Sequence, residues 1–331
     1  MALCMVLCAV SGVVLIPFFR FYKTGFFEMH IGDRLRKDDS SPRFGGVLLM
    51  GAVTAGTVGG VYILSKLGNE FDDSPAKRLT AALVYVFFIF IAGFLQDYLK
   101  QKLRRPAGVK LPLLFLYLWL VSTGFVLSLK LISGMSGKVL LPFRLGFLGF
   151  GAAYYPVMGL LMTISCMAFM NFDTFGGQEQ YSCDGLLGVT VTLFGLFFAV
   201  MGEGECSLLG YITAGASAGL LVWSAFPSKI YPGESGQLIS GALFCAMCII
   251  SGRELLLIIL PVSVIIDMLA SLTRYVYYKL TKKVLLKGGS LHSHLKESGR
   301  SDVSIILFSL PFTLAGIAAA SAFYVYSTEL I

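Results

Sequence analysis

Charged and histidine side chains that can do chemistry lie where long apolar segments end. Asp97 and Lys100 follow the apolar run 83–95. If the helix continues, this carboxylate and this ammonium lie three residues apart on one face, at the depth of the lipid headgroups. His292 and His294 are two of only three histidines in the chain. Carboxylates bind Mg²⁺ and ammonium groups bind phosphate oxygens, so the pattern favours phosphate chemistry. The alternative is a solvated helix end at the membrane edge, with ordinary surface histidines.

The composition is that of an integral membrane protein. Hydrophobic residues make up 56% of the 331 residues, charged residues only 14%, and the mean hydropathy is +0.79. A soluble domain of this length carries far more charge. The net charge of +7 comes from short loops between apolar segments. It therefore indicates contact with anionic lipid or phosphate rather than with nucleic acid, for which the sequence contains no binding module.

The order of apolar segments predicts an all-α, polytopic membrane protein with about ten transmembrane helices, each near the length that crosses a bilayer. The predicted spans are residues 1–19, 44–65, 80–95, 111–129, 149–170, 185–202, 206–226, 237–251, 254–272 and 303–327. The first span has no basic residues before it and no polar cleavage region after it, so we interpret it as a retained helix rather than a signal peptide. Residues 1–331 are predicted to form a single transmembrane domain.

The basic residues predict the orientation of the chain in the membrane. Of the 26 Lys and Arg residues, 19 lie in the loops that follow odd-numbered spans and 7 in the loops that follow even-numbered spans. By the positive-inside rule the first set faces the cytoplasm, and both termini lie outside. Acidic residues, two histidines and many cations therefore converge on the cytoplasmic face. A hydrophilic phosphate donor and a membrane-borne acceptor would require such a face.

Four segments resemble the motifs of one enzyme superfamily. They are GFLQDYLK (93–100), MNFDTFGG with DGLLG (170–188), YPGESGQLISGAL (231–243) and LHSHLKESGRSD (291–302). Their order and spacing are similar to those of the polyprenyl-phosphate N-acetylhexosamine-1-phosphate transferases, and most similar to the phospho-N-acetylmuramoyl-pentapeptide transferase branch. The resemblance covers the whole chain. It implies ten transmembrane helices, both termini outside and a Mg²⁺-dependent active site on the cytoplasmic face.

The resemblance also implies a reaction. Phospho-MurNAc-pentapeptide, or GlcNAc-1-phosphate in a neighbouring branch, is transferred from a UDP-sugar to undecaprenyl phosphate, and UMP is released. This is the first membrane step of cell-wall (peptidoglycan) precursor synthesis, in the inner (plasma) membrane of a bacterium. The expected cofactor is Mg²⁺, and the expected partners are the UDP-sugar donor, undecaprenyl phosphate and the lipid bilayer. Members of the family often dimerise, so the resemblance allows a homodimer here.

Single residues receive roles from the same resemblance. Catalytic roles fall to Asp97, Lys100, His292 and His294, the metal-binding role to Glu234, and substrate-binding roles to Asn171, Asp173 and Asp184. We add Lys110, which begins the fourth predicted helix beside this group. A lysine there either contacts the substrate or anchors the helix in the membrane interface.

The motifs depart from the family pattern at positions that bear on chemistry. Gln96 stands where the family has an acid, and an amide neither binds Mg²⁺ as an anion nor acts as a base. Glu234 replaces an aspartate, and Ser293 replaces the middle one of three histidines. The segment 171–185 is rebuilt, so the acid that takes the family role there stays open. The alternative hypothesis is therefore a catalytically impaired relative that binds lipid phosphate or nucleotide, or acts as a scaffold.

Two further features bear on the choice of function. SPRFGG (41–46) resembles a cytoplasmic turn of the family, and the arginine in it, Arg43, makes this turn similar to that of the branch that uses UDP-GlcNAc. Asp267 lies inside the ninth predicted span, where the family also has an acid, and we interpret it as structural. A transporter is disfavoured, because Asp267 is the only clear mid-span acid and no internal repeat is visible.

Overall fold

The computed structural model describes most of the chain as helix. The described residues are 1–21, 42–67, 74–101, 108–134, 137–140, 146–173, 183–283, 285 and 289–328. The helices within them are α1 (Ala2–Phe21), α2 (Gly45–Leu67), α3 (Ser74–Gln101), α4 (Leu111–Ser133), α5 (Tyr154–Asp173), α6 (Leu186–Met201), α7 (Gly204–Ser224), α8 (Gly233–Ile250), α9 (Leu256–Ile259), α10 (Val262–Thr281), α11 (Leu291–Glu297) and α12 (Asp302–Thr328). A short 3₁₀ turn, Gly151–Ala153, precedes α5.

Eight of the described helices are long and apolar enough to cross a membrane. They are α1 to α5, α7, α8 and α12. α6 is apolar but has only 16 residues, which is below the length that a perpendicular span needs. The prediction of an all-α polytopic membrane protein is confirmed at this level. The count of ten spans stays a prediction.

The prediction of one continuous ninth span over residues 254–272 is wrong. The chain forms a single helical turn, α9, and then breaks before α10 begins at Val262. Pro261 lies at the break, where its backbone (φ −87°, ψ 46°) is not helical, and it has no amide hydrogen to donate into α9. α10 continues to Thr281, beyond the predicted end. The apolar run is therefore helical on both sides of Pro261, but this proline divides it into two helices.

A small β-ladder, which the all-α prediction missed, lies between α4 and α5. Strands β1 (Lys138–Leu140) and β2 (Phe147–Gly149) are antiparallel, with Val139 opposite Leu148. Strands of three residues are too short to show a two-residue alternation in the sequence. The all-α class therefore holds for the membrane-spanning part and is incomplete for this connection.

α8 is the central helix of the bundle. Every residue of Ser235–Ile250 is buried, and α8 packs against α2, α3, α5, α6 and α7. The outer helices instead expose large apolar side chains, such as Leu120 of α4 and Leu307 of α12, as lipid-facing helices do. The start of α8, which carries Glu234, is consequently held by neighbours on several sides.

Candidate active site

The predicted site residues lie where α3 and α5 end and where α4, α6, α8 and α11 begin, and we call this region the site end. Their contacts define three groups. The Asp97 cluster is Gln96, Asp97, Lys100, Glu234 and Ser235; the Asp184 cluster is Asp184, Ser228, Lys296 and Asp302; the His292 cluster is Asp267, Ser290, His292 and Ser293.

Asp97 holds the start of α8. Its Oδ1 accepts the backbone N–H of Glu234 at 2.8 Å, and its Oδ2 accepts the backbone N–H of Ser235 at 2.9 Å and the Ser235 hydroxyl at 2.5 Å. The first amides of a helix lack partners within the helix, and the helix dipole favours a negative charge there. Asp97 is only 3% exposed, so these bonds form away from water. These bonds position Glu234 and occupy most of the acceptor sites of the Asp97 carboxylate.

Two glycines allow α3 and α8 to approach closely enough for these bonds. A Cβ atom on Gly93 would lie 2.5 Å from the Cα of Ser235. Gly233 has a φ of +69°, which glycine adopts without penalty, and a Cβ atom there would lie 2.7 Å from Oδ2 of Asp97. A larger residue at either position would push the start of α8 away from α3.

Residues 42–46 of the SPRFGG motif pack on the segment that leads into α8. The N–H of Tyr231 donates to the carbonyl of Pro42 at 2.9 Å, and the N–H of Gly45 donates to the carbonyl of Tyr231 at 3.0 Å. Arg43 is buried, with its guanidinium 5.8 Å from the centre of the Tyr231 ring. In the sequence the two segments are separate motifs, because no local pattern of residues predicts backbone hydrogen bonds between positions so far apart.

Lys100 and Glu234 form an ion pair at the edge of the bundle. Nζ of Lys100 donates to Oε1 of Glu234, and the two side chains are 18% and 13% exposed. The second oxygen, Oε2 of Glu234, is buried and has no hydrogen-bond partner among the described residues. Buried polar atoms are normally satisfied, so such an oxygen is an available acceptor for a ligand.

Gln96, the departure from the family acid, has a structural partner. Its Oε1 accepts the backbone N–H of Val109 at 2.7 Å. This bond ties the end of α3 to the residues just before α4, where Lys110 lies exposed at the site end. The amide therefore positions this connection, a role that sequence comparison of the motif could not reveal.

The Asp184 cluster joins three elements. The N–H of Asp184 donates to Oδ1 of Asp302 at 3.4 Å, and Oδ2 of Asp184 accepts the N–H of Ser228 at 3.3 Å. Nζ of Lys296 lies 2.8 Å from Oδ1 of Asp302. The start of α6, the end of α11 and the start of α12 are thus linked through carboxylates.

In the His292 cluster, Oδ1 of Asp267 accepts the backbone N–H groups of Leu291 at 2.9 Å and His292 at 3.3 Å. The same oxygen lies 3.0 Å from Nδ1 of His292. Ser290 is the N-cap of α11, and its hydroxyl accepts the N–H of Ser293 at 3.4 Å. Asp267 is therefore more than an acid inside a helix, because it anchors the segment that carries the histidines.

The other predicted residues lie at helix ends. Asn171 donates from Nδ2 to a carbonyl of its own helix at 2.9 Å. Asp173 is the last residue of α5; its side chain and the rebuilt segment 174–182 lie outside the described residues. His294 is half-buried on α11, and its Nδ1 has no hydrogen-bond partner in the part of the chain that the structure describes.

The next feature is the set of side chains that could bind the predicted Mg²⁺ ion. No group of three or more His, Cys, Asp or Glu side chains among the described residues is arranged to hold a metal ion. Mg²⁺, however, keeps several waters and is often bound by one or two carboxylates together with substrate phosphates. The unpartnered Oε2 of Glu234 fits that kind of site. Asp97 does not fit it as well, since α8 already occupies both of its oxygens.

Similarity to known proteins identifies the family of the chain. The family model described as glycosyl transferase family 4 matches residues 79–252, which is more than half of the chain. The chain belongs to glycosyl transferase family 4. The matched range contains the whole Asp97 cluster, whereas the His292 cluster lies beyond it. Membership confirms the prediction that the protein is a transferase.

Full-length relatives extend the similarity to the rest of the chain. The phospho-N-acetylmuramoyl-pentapeptide-transferase of Caldicellulosiruptor bescii is 23% identical over 314 residues, covering 92% of this chain and 91% of the relative. The enzymes of the same name from Symbiobacterium thermophilum and Geobacillus thermodenitrificans are 26% and 25% identical, covering 92% and 96% of this chain and 90% and 95% of the relatives. The resemblance inferred from the motifs is confirmed, and the low identity fits a divergent member.

Proposed function

We propose that the protein transfers a phospho-sugar from a UDP-sugar to undecaprenyl phosphate and releases UMP. The observation that carries this proposal is the Asp97 cluster, which holds a partly buried charged pair with an unpartnered carboxylate oxygen at the end of an apolar bundle. Phospho-MurNAc-pentapeptide is the expected group, because the relatives that match most of the chain are named for its transfer. GlcNAc-1-phosphate is the second candidate.

The site end is proposed to face the cytoplasm, with both termini outside and the chain in the inner membrane. The bias of basic residues, 19 against 7, supports this orientation. Lys110 and Lys138 are described residues in loops that the orientation places on opposite faces. Single cysteines at these positions, in a background without the seven native cysteines, test it with a membrane-impermeant thiol reagent. Labelling at 138 alone from outside intact cells is expected, and labelling at 110 alone would reverse the orientation.

The reaction is a displacement at phosphorus. A phosphate oxygen of undecaprenyl phosphate attacks the β-phosphorus of the donor, the bond from that phosphorus to the bridging oxygen breaks, and UMP leaves with the bridging oxygen. The second pKa of a phosphate monoester is about 6, so the nucleophile is already largely dianionic at neutral pH. A strong base is unnecessary. This agrees with the geometry of Asp97, whose carboxylate is occupied by the start of α8.

The chain's own residues would then bind and orient the two phosphates. Lys100 lies beside Glu234 and can exchange this partner for a phosphate oxygen of the substrate. Lys110, exposed before α4, adds positive charge on the same side. Mg²⁺, when held by Glu234, would offset the charge that the pyrophosphate carries. Asn171 and His292 are proposed to contact the donor and its phosphates.

The test is UMP release by the purified protein with undecaprenyl phosphate, Mg²⁺ and each of the two donors. Release that needs both the lipid and Mg²⁺, and that falls about 100-fold or more in Glu234→Gln, is expected because this change keeps the size of the side chain and removes its charge. Equal turnover by the variant would remove Glu234 from the mechanism. Binding of a UDP-sugar without any UMP release would favour the impaired relative instead.

A further inference from the structure

Asp267 contacts α11 in a way that the proposed transfer reaction leaves unexplained. One oxygen of its buried carboxylate accepts two consecutive backbone N–H groups, those of Leu291 and His292, and lies 3.0 Å from Nδ1 of the His292 ring. A docking contact for α11 needs only the backbone bonds. The third contact goes to the side chain that the sequence singled out for chemistry.

From this geometry we infer that Asp267 is a positioning residue that fixes the ring orientation of His292 and keeps its proton on Nδ1. A hydrogen bond at one ring nitrogen of histidine decides which nitrogen carries the proton. With Nδ1–H donating to Asp267, Nε2 is the nitrogen left as an acceptor. The hydroxyl of Ser290 lies 3.0 Å from Nδ1 and 3.2 Å from Nε2, so the carboxylate, rather than this hydroxyl, selects the tautomer. The kinetic part of this inference rests on the proposed function.

The surroundings make the contact specific. His292 is 5% exposed and its ring lies edge-on to Phe172 at a centroid distance of 5.9 Å. Phe172 lies in the last turn of α5, so the ring packs against the end of that helix. The cleft around Asp267 and His292 is otherwise lined mainly by apolar side chains. With little competing water, a hydrogen bond to a carboxylate is strong and directional there.

Other charged groups nearby are already engaged. On α11 and α12, Lys296 and Asp302 pair with each other at 2.8 Å. His294 and Glu297 are the other titratable side chains on α11. Asp267 is the carboxylate whose distance to Nδ1 of His292 is 3.0 Å, so Asp267→Ala removes that contact.

The choice of variants separates positioning from folding. Asp267→Ala removes the acceptor of all three contacts. Asp267→Asn keeps an amide oxygen in its place, and the second oxygen, Oδ2, has no hydrogen-bond partner among the described residues, so its replacement by NH₂ breaks no bond there. Ser298→Ala is a control at the opposite end of α11, where the hydroxyl donates to the carbonyl of His294 at 2.8 Å.

The measurement is the ¹⁵N chemical shift of the imidazole nitrogens in the full-length protein in lipid nanodiscs. The chain has three histidines, so replacing His30 and His294 by Asn leaves His292 as the only labelled ring. The Nδ1–H pattern is expected in this background, in its Asp267→Asn form and in its Ser298→Ala form, and its loss is expected in Asp267→Ala. An unchanged pattern in Asp267→Ala, or its loss in Ser298→Ala, would overturn the inference.

Kinetics on the otherwise native chain give the second readout. A ring displaced by about 1 Å can cost on the order of 100-fold in rate, so kcat should fall by about that factor in Asp267→Ala, with KM for the donor little changed and with substantial rescue in Asp267→Asn. A change in KM alone would refute a positioning role. The spectra can be read even without turnover, so failure of the proposed transfer reaction would leave the Asp267 result interpretable.

Discussion

Replacing Asp97 distinguishes a residue that holds α8 from a residue that acts as a base. In Asp97→Asn, the amide can face α8 in two orientations. One keeps the two bonds from Ser235 and turns NH₂ toward the N–H of Glu234; the other keeps only the bond from Glu234. In the better orientation one charge-assisted bond is lost and one buried donor is left unsatisfied.

The cost follows from typical energies of such groups. A hydrogen bond to a charged acceptor contributes about 1.5–3 kcal/mol, and a buried unsatisfied donor costs about 1–3 kcal/mol. These values describe overlapping parts of one change, so we expect Asp97→Asn to destabilise the start of α8 by roughly 2–4 kcal/mol. Ser235→Ala removes only the hydroxyl bond and should cost about 1–2 kcal/mol. The two variants therefore form a graded pair at one site.

Backbone amide exchange of the first turn of α8 measures this cost directly. Because about 1.4 kcal/mol corresponds to a factor of ten, the amides of Glu234 and Ser235 should exchange roughly 30- to 1,000-fold faster in Asp97→Asn, and about 5- to 30-fold faster in Ser235→Ala. Turnover should fall in the same order. Native exchange and native thermal stability in Asp97→Asn, together with lost turnover, would refute the capping role and return Asp97 to direct chemistry.

Three further predictions concern the other polar pairs. Lys100→Met should destabilise the protein by roughly 1–3 kcal/mol, below the range for a fully buried pair because both side chains are partly exposed, and Lys100→Met combined with Glu234→Gln should recover most of this loss in thermal unfolding. Gln96→Asp shortens the side chain and should weaken its backbone bond, so transfer should fall; a metal-dependent rise in UMP release would instead identify a weakened enzyme. Burial raises the pKa of the Glu254 carboxyl despite its 2.5 Å bond from Tyr154. The Glu254 carboxyl contributes stability below its unfolded pKa, and this contribution is lost as pH rises through the folded pKa. Relative to the native chain, Glu254→Gln should therefore become more stabilising from pH 4 to pH 8. A stability difference that does not change with pH would contradict this prediction.

The sequence predicted most helices because each carries a long apolar run, and an apolar run in lipid satisfies its backbone only as a helix. The ninth span shows where this signal is insufficient. Hydropathy continues across Pro261, but the backbone does not. A proline inside an apolar run is the signal in the sequence that marks such a break.

The motifs located the site residues in the chain but not their partners. Gln96 was expected to be a lost acid, and the structure instead shows its oxygen on the N–H of Val109. Asp267 was interpreted as structural, which fits the backbone N–H groups that it accepts, but the sequence could not identify α11 and the ring of His292 as its partners. These bonds join residues on different helices, and neither composition nor periodicity encodes which helix ends meet.

A physical requirement of the membrane environment connects these observations. A helix that begins in a buried, water-poor region must find acceptors for its first amides. At the site end several of those acceptors are carboxylates: Asp97 serves α8, Asp267 serves α11 beside its N-cap Ser290, and Asp302 accepts the N–H of Asp184 just before α6. An acid that accepts such bonds has less capacity left for a metal ion, and Asp97, with both oxygens bonded, has the least. The number of acidic residues in the motifs therefore overstates the number of available metal ligands, and the Mg²⁺ hypothesis depends chiefly on Oε2 of Glu234, which has no hydrogen-bond partner among the described residues.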